Sequence, residues 1–553
     1  MERMSRHAPV LLLGLTLVCA AAMTLILTSQ LTFLQDTWEF LMTRRNPSLD
    51  VLFRPHNEHL VVFPVLIEEA LIRLFGMTSA TPEYVVLTAM LLATAALLYV
   101  YLERRVGAWL ALFATVVVLT LGPAWEVLLW PFEITFVGPV LFGLAMLLAL
   151  ERESRGGDLL ACACLIAALG FSGLGIPFLA AGAVAVAISG DRLRRAWVIA
   201  VPVLLFAVWY LHWGDEAKTN VTAHNVLHSP LVVAEAVSVS VGALFGLSVD
   251  PVAGSTNVLW GAVIAVVGIA VLGRRAWRGV RWDKGLWPVA AAALAFWVLM
   301  AFNQVPGRDA TASRYQYGGA ILVLMIVANL LSGWRPGRRT LLVCAAVAAL
   351  AVGLNLAVLR QGRDELAQQS LLTRSDTAAI EIARRTVDPI FQLNPELAGT
   401  TTLVDVFAGS YLEAVDEYGS PAYTPEELAG APEQGRRQAD VVLAQALPLA
   451  TVTQLGEYSP AASRGCVVAA AGNPAEIPLG PGLTRIEVAP GPHAGFSLRR
   501  FAVGQYPVVT EGAPGESVTE LRIPADAAPG YPWRLHVEAP QEARVCAPAP
   551  PAG

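Results

Sequence analysis

Three stretches of this sequence carry side chains that could do chemistry. The first reads Gln35-Asp36-Thr37-Trp38-Glu39-Phe40, and on a helical turn Asp36 and Glu39 would share a face. The second, Arg54-Pro55-His56-Asn57-Glu58-His59, puts three acid/base groups or ligands within four residues: His56, Glu58 and His59. As a metal site this trio is weak, because its spacing is not His-Glu-x-x-His and no Cys assists. A hydrogen-bonded cluster that shapes the loop is the alternative. No metal site is assigned, and a divalent metal stays open. The third stretch holds Arg308 and then Ser313-Arg314-Tyr315. A guanidinium fork suits bidentate contact with phosphate; snorkelling to lipid headgroups would also account for both arginines. Trp125-Glu126 and Trp130-Pro131-Phe132-Glu133 add two carboxylates, Glu126 and Glu133, among aromatic residues of the kind that anchor at membrane interfaces.

The elements that must position these groups are apolar. Of 553 residues, 55% are hydrophobic and 15% charged, and mean hydropathy is +0.55. An average soluble domain is roughly 25% charged, so a disordered chain is excluded and a single soluble globule is disfavoured. Eleven segments, near 9–30, 84–102, 108–123, 134–150, 159–171, 176–190, 196–213, 257–273, 286–303, 316–332 and 340–359, approach the ~20 apolar residues a bilayer core requires. The first stays as an uncleaved helix. Cationic loops such as Arg104-Arg105, Arg192/Arg194/Arg195 and Arg335/Arg338/Arg339 predict a cytoplasmic N-terminus. That pattern closes only if the stretch at about 229–248 is re-entrant or interfacial. The expectation is a multi-pass plasma-membrane protein with a transmembrane domain over 1–360 and a long first outer loop over 31–82.

The formal charge of −6 is unevenly divided. From Arg360 onward there are 14 Arg and 23 Asp or Glu, a net of −9, whereas the residues before carry +3. Neither part is basic enough to suggest nucleic acid. The acidic part is expected outside the cell, with a helical or mixed region over 361–446, a β-sandwich over 447–548 and a disordered end at 549–553. Thr402–Val406 reads as a short strand. Period-two runs predict strands at Cys466–Ala470, Thr484–Val488, Phe496–Val503, Val518–Ile523 and Trp533–Glu538. Cys466 and Cys546 bracket this module and would form a disulfide in an oxidising exterior.

Taken together, an acid just after the first helix, a long first outer loop and a late outer loop with Arg-Tyr resemble the GT-C superfamily of membrane glycosyltransferases. The resemblance rests on Asp36-Thr37-Trp38-Glu39-Phe40-Leu41, Pro55-His56-Asn57-Glu58-His59 and Ser313-Arg314-Tyr315, and covers roughly 1–360. With the apolar segments and the acidic C-terminal part, the expected fold class is a polytopic α-helical membrane protein of about 11 transmembrane helices, GT-C-like over 1–360, with an extracytoplasmic α+β region ending in a small β-sandwich. The implied partners are a polyprenyl-phosphate sugar donor, membrane lipids and an extracytoplasmic glycan, lipid or protein acceptor. Asp36 would be the general base of an inverting reaction. Glu39 would assist, Trp38 would stack on a sugar, and Arg308 and Arg314 would hold the departing phosphate. Arg54, His56, Glu58, His59, Glu126, Glu133 and Tyr315 would complete the substrate site. A lipid or small-molecule transporter and a non-catalytic envelope scaffold are the rival readings.

Overall fold

Long, continuously apolar runs leave the backbone in helices, where every N–H and C=O finds a partner within the segment. The computed structural model describes residues 2–249, 255–277, 282–393, 403, 406–447, 449–455, 466–489, 495–504, 507–511, 517–538 and 540–548. The chain is a mainly helical membrane protein that divides into two units. One comprises Met1–Gln30, Asn46–Leu71 and Thr81–Leu366; the other comprises Leu31–Arg45, Ile72–Ala80 and Ala367–Gly553.

In the first unit a helix lies on each of the eleven apolar segments. Among the described residues, six helices are long and apolar enough to cross a membrane, or seven if Ala108–Leu119 and Gly122–Leu129, bent by 49°, count as one broken span. The other expected segments carry helices that fall short of that length or hydropathy. Gly175–Ala187, Leu259–Arg274 and Leu286–Phe302 are apolar but shorter, and a 17-residue helix is only about 26 Å long. Terminal signals are legible: Thr81–Val106 opens with Pro82 and Glu83 and closes with Arg104 and Arg105, as the helix dipole favours. Small residues let helices approach. A Cβ on Gly138 or Gly143 would stand 2.3 Å or 2.1 Å from the rings of Phe171 and Phe178.

The stretch expected to be re-entrant forms the helix Ala223–Ala243, long enough to cross by length alone. Its contacts put both ends at one interhelical loop. Asn225 Nδ2 donates to the carbonyls of Phe302 and Gln304 at 3.1 and 3.0 Å. Ser248, beyond the other end, lines a cavity with Thr311 and Ser313.

In the second unit, nine strands among the described residues, β1 (Ala450–Leu455), β2 (Val467–Ala469), β3 (Ala475–Leu479), β4 (Gly482–Val488), β5 (Gly495–Arg499), β6 (Val508–Glu511), β7 (Ser517–Ile523), β8 (Trp533–Glu538) and β9 (Ala543–Cys546), form two antiparallel sheets. Their orders are β1-β7-β4-β9-β2 and β3-β8-β5-β6. Inward residues alternate, as in Thr484, Ile486 and Val488 of β4 and Trp533, Leu535 and Val537 of β8. Of the five expected strands, β8 matches its bounds, β4 and β7 extend theirs at the start, and β2 and β5 are shorter, while β1, β3, β6 and β9 are additional. Pro478 lies within β3, an edge strand of its sheet, where a missing N–H is tolerated. Cys466 and Cys546 are joined by a disulfide.

Helices Ala408–Tyr418, Pro425–Gly430 and Glu433–Ala446 precede the sandwich. Thr424 and Glu427 form a capping box at the second of them. Thr402, Val404 and Asp405 of the expected strand, and the end at 549–553, lie outside the described residues. The stretch expected as one long loop over 31–82 is divided rather than whole: Leu31–Arg45 and Ile72–Ala80 fold with the C-terminal region. The physical reason is packing. The Trp38 ring meets Tyr411 at 5.7 Å, and Met77 N–H donates to the Tyr418 carbonyl at 2.8 Å.

Candidate functional site

Pro55–His59 folds as a tight turn. His56 and His59 exchange backbone hydrogen bonds of 3.0 and 2.9 Å, with Asn57 at φ 52°, a left-handed conformation that Asn tolerates. Closing the turn brings Glu58 and His59 together, with His59 Nε2 3.5 Å from the carboxylate. His56 instead packs its ring 5.4 Å from Phe132, which stacks on Trp130 at 5.6 Å. His56, Glu58 and His59 thus do not converge as one ligand set.

His59 fits because residue 173 is glycine: a Cβ there would stand 2.7 Å from its Nδ1. Burial pushes the imidazole pKa down to about 4 against the opposing pull of Glu58, with His56 and Arg308 adding to the lowering. The ring is therefore neutral at pH 7, and its Nδ1 has no hydrogen-bond partner among the described residues.

Glu58 is also the partner of Arg308, whose Nη1 lies 3.3 Å away. The loop carrying Arg308 is held by Asn225, as described above, and by the Arg308 N–H donating to the Val305 carbonyl at 2.8 Å. A second pair sits at the start of the Ser313–Leu330 helix. Glu126 accepts from the Arg314 backbone N–H at 3.1 Å and lies 3.3 Å from its Nε. Glu126 N–H in turn donates to the Ser313 hydroxyl at 3.1 Å. The carboxylate thereby meets the positive end of the helix dipole.

Tyr315 follows, between Phe136 and Phe296, and its phenol feels the charges of Arg314, Arg308, Glu58 and Glu133. Glu133 is 1% exposed. The structure thus gathers Glu58, His59, Glu126, Glu133, Arg308, Arg314 and Tyr315 in one neighbourhood of the first unit. Arg54 stands apart, 3.8 Å from Glu216 at the surface.

Asp36, Trp38 and Glu39 belong to the second unit, on the helix Asp36–Thr43. Gln35, just before Asp36, takes φ 45°, a strained value for a non-glycine residue and a mark often found at functional sites. Its side chain donates to Gln369 at 2.9 Å. Glu39 lies 3.9 Å from Arg44. Trp38 corrects an expectation. It is 0% exposed, edge-on to Phe33 and Tyr411, and its Nε1 donates to the Phe33 carbonyl at 3.0 Å. Its faces are spent on packing and cannot stack on a sugar. Sequence reasoning also passed over Ser248 and Gln316, which line a cavity beside Glu126. The available signal was an amide in the first turn of an apolar helix, where polar groups are costly.

No protein-family model and no curated protein sequence matches the chain. Among solved structures, the chain is similar to the crystal structure of ArnT from Cupriavidus metallidurans bound to undecaprenyl phosphate. Identity is 13% and the TM-score 0.46, over 74% of this chain and 85% of that one. A likeness this distant assigns neither a reaction nor a ligand to the chain.

Proposed function

We propose that the chain is a GT-C-type membrane glycosyltransferase that moves a sugar from a polyprenyl-phosphate donor to an extracytoplasmic acceptor. The observation that carries this reading is the gathering of Arg308, Arg314 and Tyr315 with Glu58, Glu126 and Glu133 at one place in a mainly apolar helical unit. Charged groups in such a body are expensive and mark function by default. Arg308 contacts Glu58 through one guanidinium nitrogen, which leaves other N–H groups of its fork for phosphate oxygens. The carboxylate keeps the guanidinium oriented and charge-balanced before substrate arrives.

In the reaction, an acceptor hydroxyl oxygen attacks the anomeric carbon as the bond from that carbon to the phosphate oxygen breaks. The polyprenyl phosphate leaves with the bonding electrons, and the arginines stabilise its growing charge. The hydroxyl proton goes to a carboxylate, which we assign to Asp36 from its place directly after the first helix. Glu39 is assigned as the assisting acid. The sugar changes anomeric configuration once. Neutral His59 stands beside Glu58, 3.5 Å from its carboxylate, without adding a second cation.

Turnover of polyprenyl-phosphate sugars in membranes containing Asp36→Asn tests the mechanism. Loss of a positioned base costs about 10²–10⁴-fold, so full activity would overturn it. Arg308→Met is expected to lower turnover while leaving the protein folded. A purified protein that moves polyprenyl phosphates across vesicles without altering them would instead favour the transporter reading.

A further inference from the structure

A cavity of about 380 Å³ opens beside Glu126, within the first unit. It sits near the lower end of the roughly 300–1,000 Å³ typical of small-molecule sites. Gln316 and Ser248 line it, and they are 1% and 0% exposed. The Gln316 amide is fixed in orientation, because Nε2 donates to the carbonyls of Ala310 and Ala312 at 3.0 and 3.2 Å. That leaves Oε1 turned from both carbonyls, buried and without a hydrogen-bond partner among the described residues. Ser248 Oγ is in the same state. A buried polar atom left without a partner is rare enough to need an explanation, and these two belong to residues that line one cavity.

The lining decides what would fill the cavity. Ser313 adds a hydroxyl and Trp125 an aromatic wall. The charged lining residues among those described are two acids, Glu126 and Glu365, so the lining offers no cation to hold a phosphate or carboxylate. Both acids are already engaged: Glu126 holds Arg314, and Glu365 has a partner of its own. No spare negative charge calls for a cation. What remains unmet is an amide oxygen that needs a donor and a hydroxyl that can give or accept. We propose that this cavity binds a neutral polyhydroxylated ring, and that the acceptor of the transfer is accordingly a carbohydrate hydroxyl. The second half rests on the transferase reading; the binding of the ring does not.

Saturation-transfer NMR on the full-length protein in detergent, with methyl α-D-mannoside and methyl α-D-glucoside as probes, tests this. Ring-proton signals are expected in the wild type. They should fall at least five-fold in Ser248→Ala and in Gln316→Met, with inorganic phosphate failing to compete. Ser248→Ala removes a single oxygen, and its thermal unfolding curve controls for misfolding. Absent wild-type signals would mean that water alone fills the cavity and would overturn the proposal. So would signals that survive both substitutions, signals that phosphate displaces, or a preference for methyl glucosaminide that Glu126→Gln abolishes. Asp36→Asn separates the two readings. If it binds the probes but transfers at the wild-type rate, the mechanism falls and the cavity stands. If transfer depends on Asp36 while the probes bind independently of Ser248 and Gln316, the cavity assignment falls alone.

Discussion

The buried polar groups around Asp440 and those beside Glu126 are treated in opposite ways. In the C-terminal unit Asp440 accepts from the backbone N–H groups of Arg500, Phe501 and Ala502 at 2.8, 2.9 and 3.0 Å. Burial pushes its pKa up to about 6 against those three donors. Arg500 pairs with both oxygens of Asp526 and also donates to the carbonyls of Tyr531 and Ala528. In these groups nearly every bonding position is used, and they tie the helix Glu433–Ala446 to the sandwich. The helical unit does the same where it is only building: Arg105 is held by Asn329, the Tyr101 carbonyl and Glu151. Beside Glu126 it does not, and the polar atoms of Gln316 and Ser248 stand unmet. Full bonding marks a residue that serves the fold; an unmet group, whether Thr484 Oγ1 in the sandwich or Gln316 Oε1 beside the cavity, needs an explanation of its own.

The largest effect should come from breaking saturation. Arg500→Met strands Asp526 and removes four interactions, and loss of one partner of a buried pair costs about 3–5 kcal/mol. Denaturant unfolding of the full-length protein measures it; a loss below about 1 kcal/mol would remove the basis of the contrast. The disulfide comes next. Cys466→Ser frees a cross-link between residues 80 apart, and removal of a native bridge typically costs about 2–4 kcal/mol. The effect should be confined to the sandwich, with hydrogen exchange in the helical unit unchanged.

What could be read beforehand follows the same line. Apolar length is a local property, so a helix stands on each of the eleven expected segments; whether each is long enough to cross depends on bends such as that at Thr120-Leu121, which no run of apolar letters reveals. Strands β4, β5, β7 and β8 announce themselves by alternation, whereas β3 is hidden by Pro478 and β9 by its four-residue length. The turn at Pro55–His59 and the arginines at 308 and 314 were legible as residue types. Their pairing was not, because Glu58 and Arg308 are 250 positions apart. Trp38 was misread for the mirror reason: nothing local says that Tyr411 closes over it. Ser248 and Gln316 carry no charge, and their meaning arises only from what fails to reach them.

A titration sharpens the comparison at its midpoint. His59 has its pKa lowered from 6.5 to about 4 by burial, so the folded state resists the protonated ring. Stability from this group is complete above pH 6.5 and is lost as pH falls towards 4, on the order of 1–2 kcal/mol once partial exposure is allowed for. Thermal unfolding between pH 7 and pH 4 should show that slope in the wild type. His59→Gln should flatten it, and an unchanged slope would mean that the ring is already solvated.

The smallest expected change is the most discriminating. If Ser248 served the fold, its hydroxyl would behave like the groups around Asp440, and Ser248→Ala would destabilise the protein. Because Oγ is buried with no partner among the described residues, removing it also removes a desolvation cost. Stability is then expected to stay level or rise by up to about 1 kcal/mol. Sites kept for ligands commonly gain stability when their polar groups are deleted, and lose function by the same change. A melting temperature that drops by several degrees in Ser248→Ala would return this residue to the scaffold. A level or raised melting temperature, joined to lost sugar signals, would place it among the groups held ready for a ligand.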